Sequence, residues 1–337
     1  MTVTPEKTTL AKKQIIKRTH KLATNGWDAG NLSLPSPADI AGLASCLDAI
    51  AQNPLLYNAS NFNDRIEAID FIECQVLDQL DWLQQKTGQP DQLTLLKHRA
   101  EKVRACLEEV NVSLFGNLRE NIRNKKYTKN DFAKMIHEYV GADLNPGRQQ
   151  KVIGYDNLDV FLNGLLSFPV IPDMTKALEP EMVYYQKTPA RIILELVEKS
   201  AMTKEDVFFD LGSGLGQVSL LVNLLSDVPV RGVEFEPAFC HYARACAARL
   251  NLSNVTFIPA DAREADYAEG TVFFMYTPFE GKMLQAVLEM LKHESQTRKI
   301  RIFTYGPCIT QVAAQDWLDF LGSDVNHLYA LGIFCSR

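Results

Sequence analysis

The sequence predicts an α/β protein in which an all-helical N-terminal region precedes a mostly parallel sheet. Residues 1–165 carry apolar stripes at helical spacing without strand-like alternation, whereas strands, glycine turns and helices alternate from about residue 185. The charge balance also changes, because residues 1–150 hold 19 basic and 18 acidic residues and residues 151–337 hold 16 and 23. The chain therefore divides into a helical domain and an α/β domain.

The predicted helical domain covers residues 1–170, and residues 1–30 are expected to form a flexible basic tail. Its first helix begins at Ser36, whose hydroxyl can cap a helix, with Pro37 in the first turn. The proline-bearing segment 168–172 marks the junction to the second domain, residues 171–337, because residues before proline disfavour helix. The apolar stripes that predict the helices of a bundle lie at 40–50, 66–83, 93–110, 128–141 and 155–168.

The composition excludes several classes of protein. With 46% hydrophobic and 23% charged residues, the 337-residue chain is neither disordered nor fibrous, and it contains no apolar run of membrane-spanning length. Its seven cysteines include no C-x-x-C pair, which argues against a disulfide framework and a zinc site. Two basic runs lack the interleaved aromatics of nucleic-acid sites. We therefore expect a cytoplasmic protein, with no metal, no membrane partner and no indication of nucleic acid.

A glycine-rich turn follows the first predicted strand. That strand ends at Asp210, and the turn contains Gly212, Gly214 and Gly216 before the apolar helix 218–225. Glycines in such a turn let the backbone approach a ligand, at the strand end where open α/β sheets bind ligands. The sequence therefore predicts a binding site for a nucleotide-like cofactor here.

Two further acids follow the next predicted strands. Glu234 ends strand 230–234, about 20 residues after the turn, where a carboxylate accepts hydrogen bonds from ribose hydroxyls. Glu236 lies close enough to be the alternative, and we select Glu234. Asp261 follows strand 255–258 and suits an adenine amino group.

These features fit S-adenosylmethionine better than NAD. The turn reads G-x-G-x-G and has Gln217 where the dinucleotide fingerprint requires a third glycine. A carboxylate at Asp210 would repel a pyrophosphate, whereas it can face the cationic methionine portion of S-adenosylmethionine. We therefore predict S-adenosylmethionine as the cofactor.

The second domain resembles the class I S-adenosylmethionine-dependent methyltransferases over about residues 180–337. The run Asp-Leu-Gly-Ser-Gly-Leu-Gly-Gln-Val at 210–218 is similar to the cofactor motif of the disruptor-of-telomeric-silencing family, the non-SET histone lysine methyltransferases. Upstream, Tyr185 and Thr188 resemble the cofactor-covering loop of that family, although Lys187 stands where the family has an acid.

The resemblance implies a Rossmann-like methyltransferase sheet of seven strands at residues 171–337. It also implies an activity, the transfer of a methyl group to a lysine of a protein. The residues that it assigns to the cofactor, together with the acids named above, are Tyr185, Thr188, Asp210, Gly212, Ser213, Gly214, Gly216, Gln217, Glu234 and Asp261.

The segment after the fourth strand departs from the family. It reads Tyr276-Thr277-Pro278-Phe279 and lacks the family's asparagine. It also lacks the Asn/Asp-Pro-Pro-Tyr set of the methyltransferases that act on amino groups of adenine or glutamine. We expect Tyr185 and Tyr276 to be catalytic, because they fall where the cofactor methyl should lie and would wall a channel that favours a neutral lysine amine. Methylation of a small molecule and a catalytically silent binding module stay open as alternatives.

The C-terminal elements are the least regular part of the prediction. A fifth strand at 300–305 precedes Cys308, which we interpret as a structural residue or a pocket wall. A helix at 309–321 and a final strand at 327–334 follow, and residues 317–321 are the candidate for the remaining strand.

Overall fold

The computed structural model describes residues 40–87, 90–141, 155–168, 170–322 and 324–337. The predicted basic tail and the helix start at Ser36 lie outside these residues. The described chain forms two compact units. One contains residues 40–53 and Ala68–Arg104, and the other contains Pro54–Glu67 and the described part of Ala105–Arg337.

Helices build the first unit, as the sequence predicts. Helix α1 (Ile40–Gln52) buries Leu43, Leu47 and Ile50 completely, which confirms the apolar stripe of residues 40–50. Up to Arg123, the further helical segments are a 3-10 turn (Pro54–Tyr57), α2 (Phe62–Phe71), a π-helical turn (Ile72–Leu77), α3 (Asp78–Thr87) and α4 (Pro90–Arg123). Within the described residues, no helix is long and apolar enough to cross a membrane.

Helices also contribute to the core of the second unit. Helix α5 (Lys129–Val140) begins with a capping box formed by Thr128 and Asp131, and Asp156 caps α6 (Asn157–Leu166). Edge-to-face ring contacts at 5.1–5.9 Å join Phe62, Phe115 and Phe161. These contacts connect α2, the second half of α4 and α6 in one apolar cluster.

A seven-stranded sheet occupies the centre of the second unit, in the order β3-β2-β1-β4-β5-β7-β6. Only β7 runs antiparallel to its neighbours, and short apolar runs form the parallel strands, which are typical of a sheet covered on both faces. The strands are β1 (Phe208–Leu211), β2 (Val230–Glu234), β3 (Val255–Pro259), β4 (Val272–Tyr276), β5 (Arg301–Tyr305), β6 (Leu318–Phe320) and β7 (Gly332–Ser336).

Helices connect the strands of this sheet, and two of the upstream helices pack against one of these connecting helices. Helices α5 and α6 contact α8, the helix that follows the glycine turn. Packing thus places these upstream helices in the same compact unit as the sheet, while the boundary at residues 170–171 between separately folding domains stays a prediction. The connecting helices are α7 (Ala190–Ser200), α8 (Gln217–Ser226), α9 (Pro237–Arg249), α10 (Gly281–Ser295) and α11 (Cys308–Ala313).

The C-terminal elements differ from the prediction in their bounds. Helix α11 ends at Ala313 instead of continuing to 321, and the candidate strand within 317–321 exists as β6. The final strand β7 starts at Gly332, five residues later than expected. Residues 318–320 form a strand because their backbone pairs with β7. A strand of three residues is too short to show a periodicity in the sequence.

Candidate active site

A cavity opens at the carboxyl ends of β1, β2 and β4, and its volume is about 260 Å³. This is the edge of an open parallel sheet where ligands bind. Of the predicted site residues, those that line the cavity are Tyr185, Thr188, Asp210, Gly212, Ser213, Gln217, Glu234, Asp261 and Tyr276. Gly214 and Gly216 lie beside the cavity instead.

The glycine turn needs its glycines for packing as well as for ligand approach. Gly214 has a φ of +53°, and a Cβ there would lie 2.3 Å from the ring of Tyr185. Gly216 has a φ of +83°, and a Cβ there would lie 2.7 Å from Phe257. Both positions are left-handed, so a side chain would be strained even without the contacts. The lack of a side chain at Gly214 therefore leaves room for the Tyr185 ring, and the lack of one at Gly216 lets α8 approach β3.

Asp210 is a buried carboxyl group at the end of β1. Only 3% of the residue is exposed, and one carboxylate oxygen accepts a hydrogen bond of 2.7 Å from the Ser219 hydroxyl. Burial raises the pKa of Asp210 to about 7, with Glu234 adding to the increase and the Ser219 bonds opposing it. A buried acid of this kind favours a cationic ligand, because the positive charge stabilises its ionised form.

Glu234 and Glu236 both lie at the cavity but have different partners. Glu234 accepts backbone hydrogen bonds from Gly214 at 2.7 Å and Glu236 at 2.8 Å, and burial raises its pKa. The Glu236 carboxylate accepts four hydrogen bonds, from the Thr175 hydroxyl and from the backbone of Thr175, Lys176 and Ala238. Burial alone would raise the pKa of Glu236, yet these bonds lower it to about 2. The geometry thus favours Glu234 as the acid that can meet a ligand hydroxyl.

A non-helical segment at residues 174–184, which we call the strap, lies along the cavity. Thr175 and Lys176 of the strap donate the bonds to Glu236 described above. In addition, Glu179 pairs with Arg263 at 2.8 Å, and Glu181 accepts the backbone N–H of Met283 at 2.8 Å. Met174, Leu178 and Met182 of the strap line the cavity. Sequence reasoning missed these residues, because the strap is not helical and is held by contacts with residues far along the chain.

Tyr185 and Thr188 of the predicted cofactor-covering loop both line the cavity. The Tyr185 ring packs edge-to-face on Phe239 with centroids 5.8 Å apart, and burial strongly raises the pKa of its hydroxyl. Thr188 is 5% exposed and precedes α7. Between them, Lys187 donates a hydrogen bond of 2.9 Å to the Asn163 side chain of α6, and burial lowers the pKa of its amine. Nothing in the sequence pattern points to Asn163, which lies 24 residues upstream.

Asp261 lines the cavity but is tied to an arginine. The Arg263 side chain donates to both carboxylate oxygens, at 2.9 and 2.5 Å, and holds the pKa of Asp261 below its ordinary value. Each carboxylate oxygen can accept more than one hydrogen bond, so Asp261 retains acceptor capacity towards a ligand.

The loops after β4 and β5 bring tyrosines to the other end of the cavity. The Tyr276 hydroxyl donates to Gln186 at 3.1 Å, and its ring centroid lies 4.7 Å from that of Tyr305. On the other side of Tyr305, the ring centroid of Tyr329 lies 6.4 Å from that of Tyr305. Burial raises the pKa of both Tyr276 and Tyr305, so these hydroxyls stay neutral at physiological pH. The wall of this end of the cavity is therefore largely aromatic, and the exposed Glu280 follows it along the loop after β4.

Hydrogen bonds hold the loop after β4 in a strained backbone conformation. Thr277 has a φ of +35°, which is unfavourable for a β-branched residue. Its hydroxyl donates to the Tyr305 carbonyl at 3.1 Å and accepts the Cys308 N–H at 3.2 Å. Cys308 itself is 2% exposed and burial raises its thiol pKa. The structure therefore supports the interpretation of Cys308 as a structural residue.

Two buried polar atoms test whether the cavity fits S-adenosylmethionine. The Ser213 hydroxyl oxygen and the Gln217 side-chain oxygen belong to cavity residues and have no hydrogen-bond partner within the described chain. Buried polar atoms are normally paired, so these atoms fit a ligand that supplies polar groups. Together with Asp210 and Glu234, they match the ammonium and hydroxyl groups of the cofactor. Among the described residues, no three His, Cys, Asp or Glu side chains are grouped as metal ligands would be.

Comparison with known proteins agrees with the resemblance seen in the sequence. The family model "Histone methylation protein DOT1" matches residues 180–274, which run from the end of the strap through the covering loop, β1, the glycine turn, β2 and β3 into β4. No curated protein matches the chain.

Three solved structures to which part of the chain is similar are described as methyltransferases or methylases. An RNA methyltransferase from Salinibacter ruber, in complex with S-adenosylhomocysteine, is 20% identical, with 45% of this chain and 92% of that chain covered and a TM-score of 0.36. A precorrin-6y C5,15-methyltransferase from Geobacter metallireducens GS-15 is 16% identical, with 48% and 94% covered and a TM-score of 0.36. A ribosomal protein L11 methylase from Lactobacillus delbrueckii subsp. bulgaricus is 16% identical, with 48% and 83% covered and a TM-score of 0.35.

Sheet order, cavity and family match define the class of protein. The chain is a class I S-adenosylmethionine-dependent methyltransferase. Within that class, the predicted resemblance to the DOT1 family is confirmed over residues 180–274, less than a third of the chain.

Proposed function

We propose that the protein methylates the side-chain amine of a lysine in a protein substrate. The observation that carries this proposal is the aromatic end of the cavity, where Tyr276 ends β4, Phe279 follows in the next loop, and Tyr305 packs against Tyr276. A lysine ammonium that enters such surroundings loses its proton more easily, because burial disfavours the charged form. The match of residues 180–274 to a histone methylation family supports the same acceptor class.

Methyl transfer requires the protein to position two groups more than to activate either. When bound, S-adenosylmethionine supplies the methyl group on a sulfonium that is already a good leaving group. Tyr185 and Thr188 cover the cofactor, and their neighbours exclude water from the transfer path. Tyr276 and Tyr185 form the walls that align the incoming amine. No metal and no strong base is needed for this reaction.

Each acid at the cavity has a distinct proposed role. Asp210 faces the cationic methionine portion, Glu234 accepts the ribose hydroxyls and Asp261 accepts the adenine amino group. Gly212 and Ser213 lie against the methionine portion, and the Ser213 hydroxyl gains its missing partner there. The hydrogen bonds of Glu234 to the turn support its role, because they fix the carboxylate at the cavity wall.

The free cysteines support an intracellular, cytoplasmic location. All seven cysteines are free thiols, and four of them are buried. Proteins of oxidising compartments usually pair their cysteines, whereas reducing compartments keep them as thiols.

Transfer of a labelled methyl group tests the proposal directly. The purified protein is incubated with cell extract and S-adenosylmethionine carrying a tritiated methyl group, and acid hydrolysates of labelled protein are analysed for methyl-lysine. We expect label in lysine of a small number of proteins, and no label with the Gly214→Val variant. Label confined to the small-molecule fraction would instead identify a small-molecule methyltransferase. Cofactor binding without label in any fraction would support a catalytically silent module.

A further inference from the structure

The loop that covers the cofactor is held by one short helix of the upstream region. Tyr155, just before α6, donates its hydroxyl hydrogen bond to the Lys187 carbonyl at 2.5 Å. Asp159 of α6 accepts the Ala190 N–H at 2.8 Å, and the capping residue Asp156 pairs with Arg191 at 2.5 Å. These bonds fix the backbone of the loop independently of the Lys187 side chain.

The Lys187 side chain starts a chain of hydrogen bonds that leads to the cavity. Its amine donates to the Asn163 side-chain oxygen at 2.9 Å, and the same oxygen accepts the Gln217 side-chain N–H at 3.3 Å. Gln217 begins α8 and lines the cavity. Three side chains from separate parts of the sequence therefore share one acceptor atom.

Lys187 determines which groups donate and which accept in this series of hydrogen bonds. An ammonium group can only donate, so Asn163 must turn its oxygen towards Lys187. Gln217 then meets an oxygen and must present its NH₂ group to Asn163. The Gln217 oxygen is thereby left for the cavity side, and it is buried without a partner. An acid in place of Lys187 would favour the opposite orientation of Asn163, because a carboxylate can only accept.

We infer that Lys187 and Asn163 are positioning residues that orient the Gln217 amide, so that its oxygen accepts a hydrogen bond from the α-ammonium group of the cofactor. The inference rests on the S-adenosylmethionine cofactor and is independent of the methyl acceptor. The buried oxygen supplies the acceptor, and the ammonium supplies the missing donor. Hydrogen bonds to charged groups stabilise more strongly than neutral ones, so this pairing discriminates cofactors by their amino group.

A comparison of two ligands isolates this contact. Isothermal titration measures the dissociation constants of S-adenosylhomocysteine and of its deaminated analogue, 5′-S-(3-carboxypropyl)-5′-thioadenosine. We expect the wild type to prefer S-adenosylhomocysteine by about tenfold or more, which corresponds to roughly 1.4 kcal/mol. Lys187→Met should reduce this preference to about threefold or less by weakening only the ligand that carries the amino group.

Conservative variants show whether donor and acceptor character is responsible. Lys187→Arg keeps a side chain that only donates, and Asn163→Asp keeps an acceptor for both neighbours, so both should retain the preference. Lys187→Glu should lose it. Lys199→Met, which alters an exposed lysine at the end of α7, is the matched control and should behave as the wild type.

Each possible result decides the inference. An equal loss of affinity for both ligands in Lys187→Met would show that the lysine only supports the loop, and an unchanged preference would show that it does not orient Gln217. Either result overturns the inference and leaves the cofactor in place. If the wild type binds neither ligand, the cofactor assignment fails, and the inference fails with it.

Discussion

The two ends of the cavity are built by different means. The cofactor end is lined by acids that accept hydrogen bonds from the Gly214 backbone and the Ser219 hydroxyl, and by the Gln217 amide, which donates to Asn163. The acceptor end is lined by aromatic rings and by a strained loop at Thr277, with few polar contacts. The acids thus gather where the cofactor is proposed to bind, whereas aromatic rings dominate the wall where an amine is proposed to react.

This difference separates binding from transfer. A buried acid such as Asp210 is unfavourable until a cationic ligand arrives, so the cofactor end is organised to select a charged molecule. The aromatic end does the reverse, since it disfavours charge on the acceptor. Variants at the first end should change affinity for the cofactor, and variants at the second should change the rate of transfer.

The largest effect should come from removing residues 1–171. Helices α5 and α6 pack on α8, and α6 also holds the covering loop, so a fragment that starts at Pro172 exposes apolar surface and loses the loop anchors. We expect an aggregated fragment that does not bind S-adenosylhomocysteine, as measured by size-exclusion chromatography and calorimetry. A monomeric fragment with affinity near that of the whole chain would show that residues 171–337 fold by themselves.

Substitution of Gly214 should abolish cofactor binding. In Gly214→Val, the new side chain meets the Tyr185 ring at a backbone conformation that valine resists, so the covering loop cannot close. We expect affinity for S-adenosylhomocysteine to fall by more than roughly 100-fold, as seen by calorimetry. The control is Gly116→Ala in α4, where a Cβ meets nothing within 4 Å and should add up to about 1 kcal/mol of helix stability. Normal binding by the valine variant would remove the turn from the site.

Substitution of Tyr276 should affect transfer alone. Tyr276→Ala removes a wall of the acceptor end, so we expect the rate of methyl transfer to fall by about 100-fold through lost alignment while cofactor affinity stays within about threefold. Tyr276→Phe loses only the hydrogen bond to Gln186 and should reduce the rate a few-fold, by roughly 1 kcal/mol. Single-turnover kinetics and calorimetry measure the two quantities. Equal losses in both would contradict the separation of the two ends.

Cofactor affinity should depend on pH through Asp210. Because its pKa lies at about 7 in the folded protein, the carboxyl group is neutral below that pH and ionised above it. S-adenosylmethionine should therefore bind more tightly at pH 8 than at pH 6, by up to about tenfold. Asp210→Asn should weaken binding at pH 8 and flatten the dependence. A flat profile in the wild type would mean that another group carries the charge selectivity.

The same residue should make the ligand-free protein less stable at high pH. The folded protein holds the Asp210 proton up to about pH 7, whereas an unfolded chain releases it near its ordinary value of 3.8. Raising the pH from 4 to 7 therefore favours unfolding at this position, by at most about 1.4 kcal/mol per pH unit. Asp210→Asn keeps an acceptor for Ser219 and should be more stable than the wild type at pH 8 by on the order of 1 kcal/mol. Thermal unfolding at pH 5 and pH 8 measures the difference, which should be smaller at pH 5 and should vanish only below the ordinary value of 3.8.

Much of the cofactor end could be predicted from sequence because it lies in short, continuous motifs. Asp210 to Gln217 and Glu234 lie at the ends of strands whose apolar runs can be recognised in the sequence. Strands β1 to β5 form within one or two residues of their expected bounds. Glu234 and Glu236 could not be separated in advance, since only the bonds from Thr175 and Lys176 show which carboxylate is occupied.

Other features depend on contacts that sequence spacing does not show. The strap has no regular structure, and its position follows from carboxylates that meet backbone N–H groups far along the chain, such as Glu181 at Met283. Asn163 lies on a helix predicted only for its apolar stripe, and its polar face acquires a role through Lys187 and Gln217. Strand β6 exists through its pairing with β7, a tertiary contact that overrides local preference.

The bond between Glu181 and Met283 gives the protein an internal reporter. Glu181 belongs to the strap, and its carboxylate accepts an N–H in the first turn of α10, where helix N–H groups have no partner within the helix. Any displacement of the strap that breaks this bond also exposes the Met283 amide hydrogen to water. Deuterium uptake at that single amide would therefore record how often the cavity opens, and its slowing by bound S-adenosylhomocysteine would measure how firmly the ligand closes it.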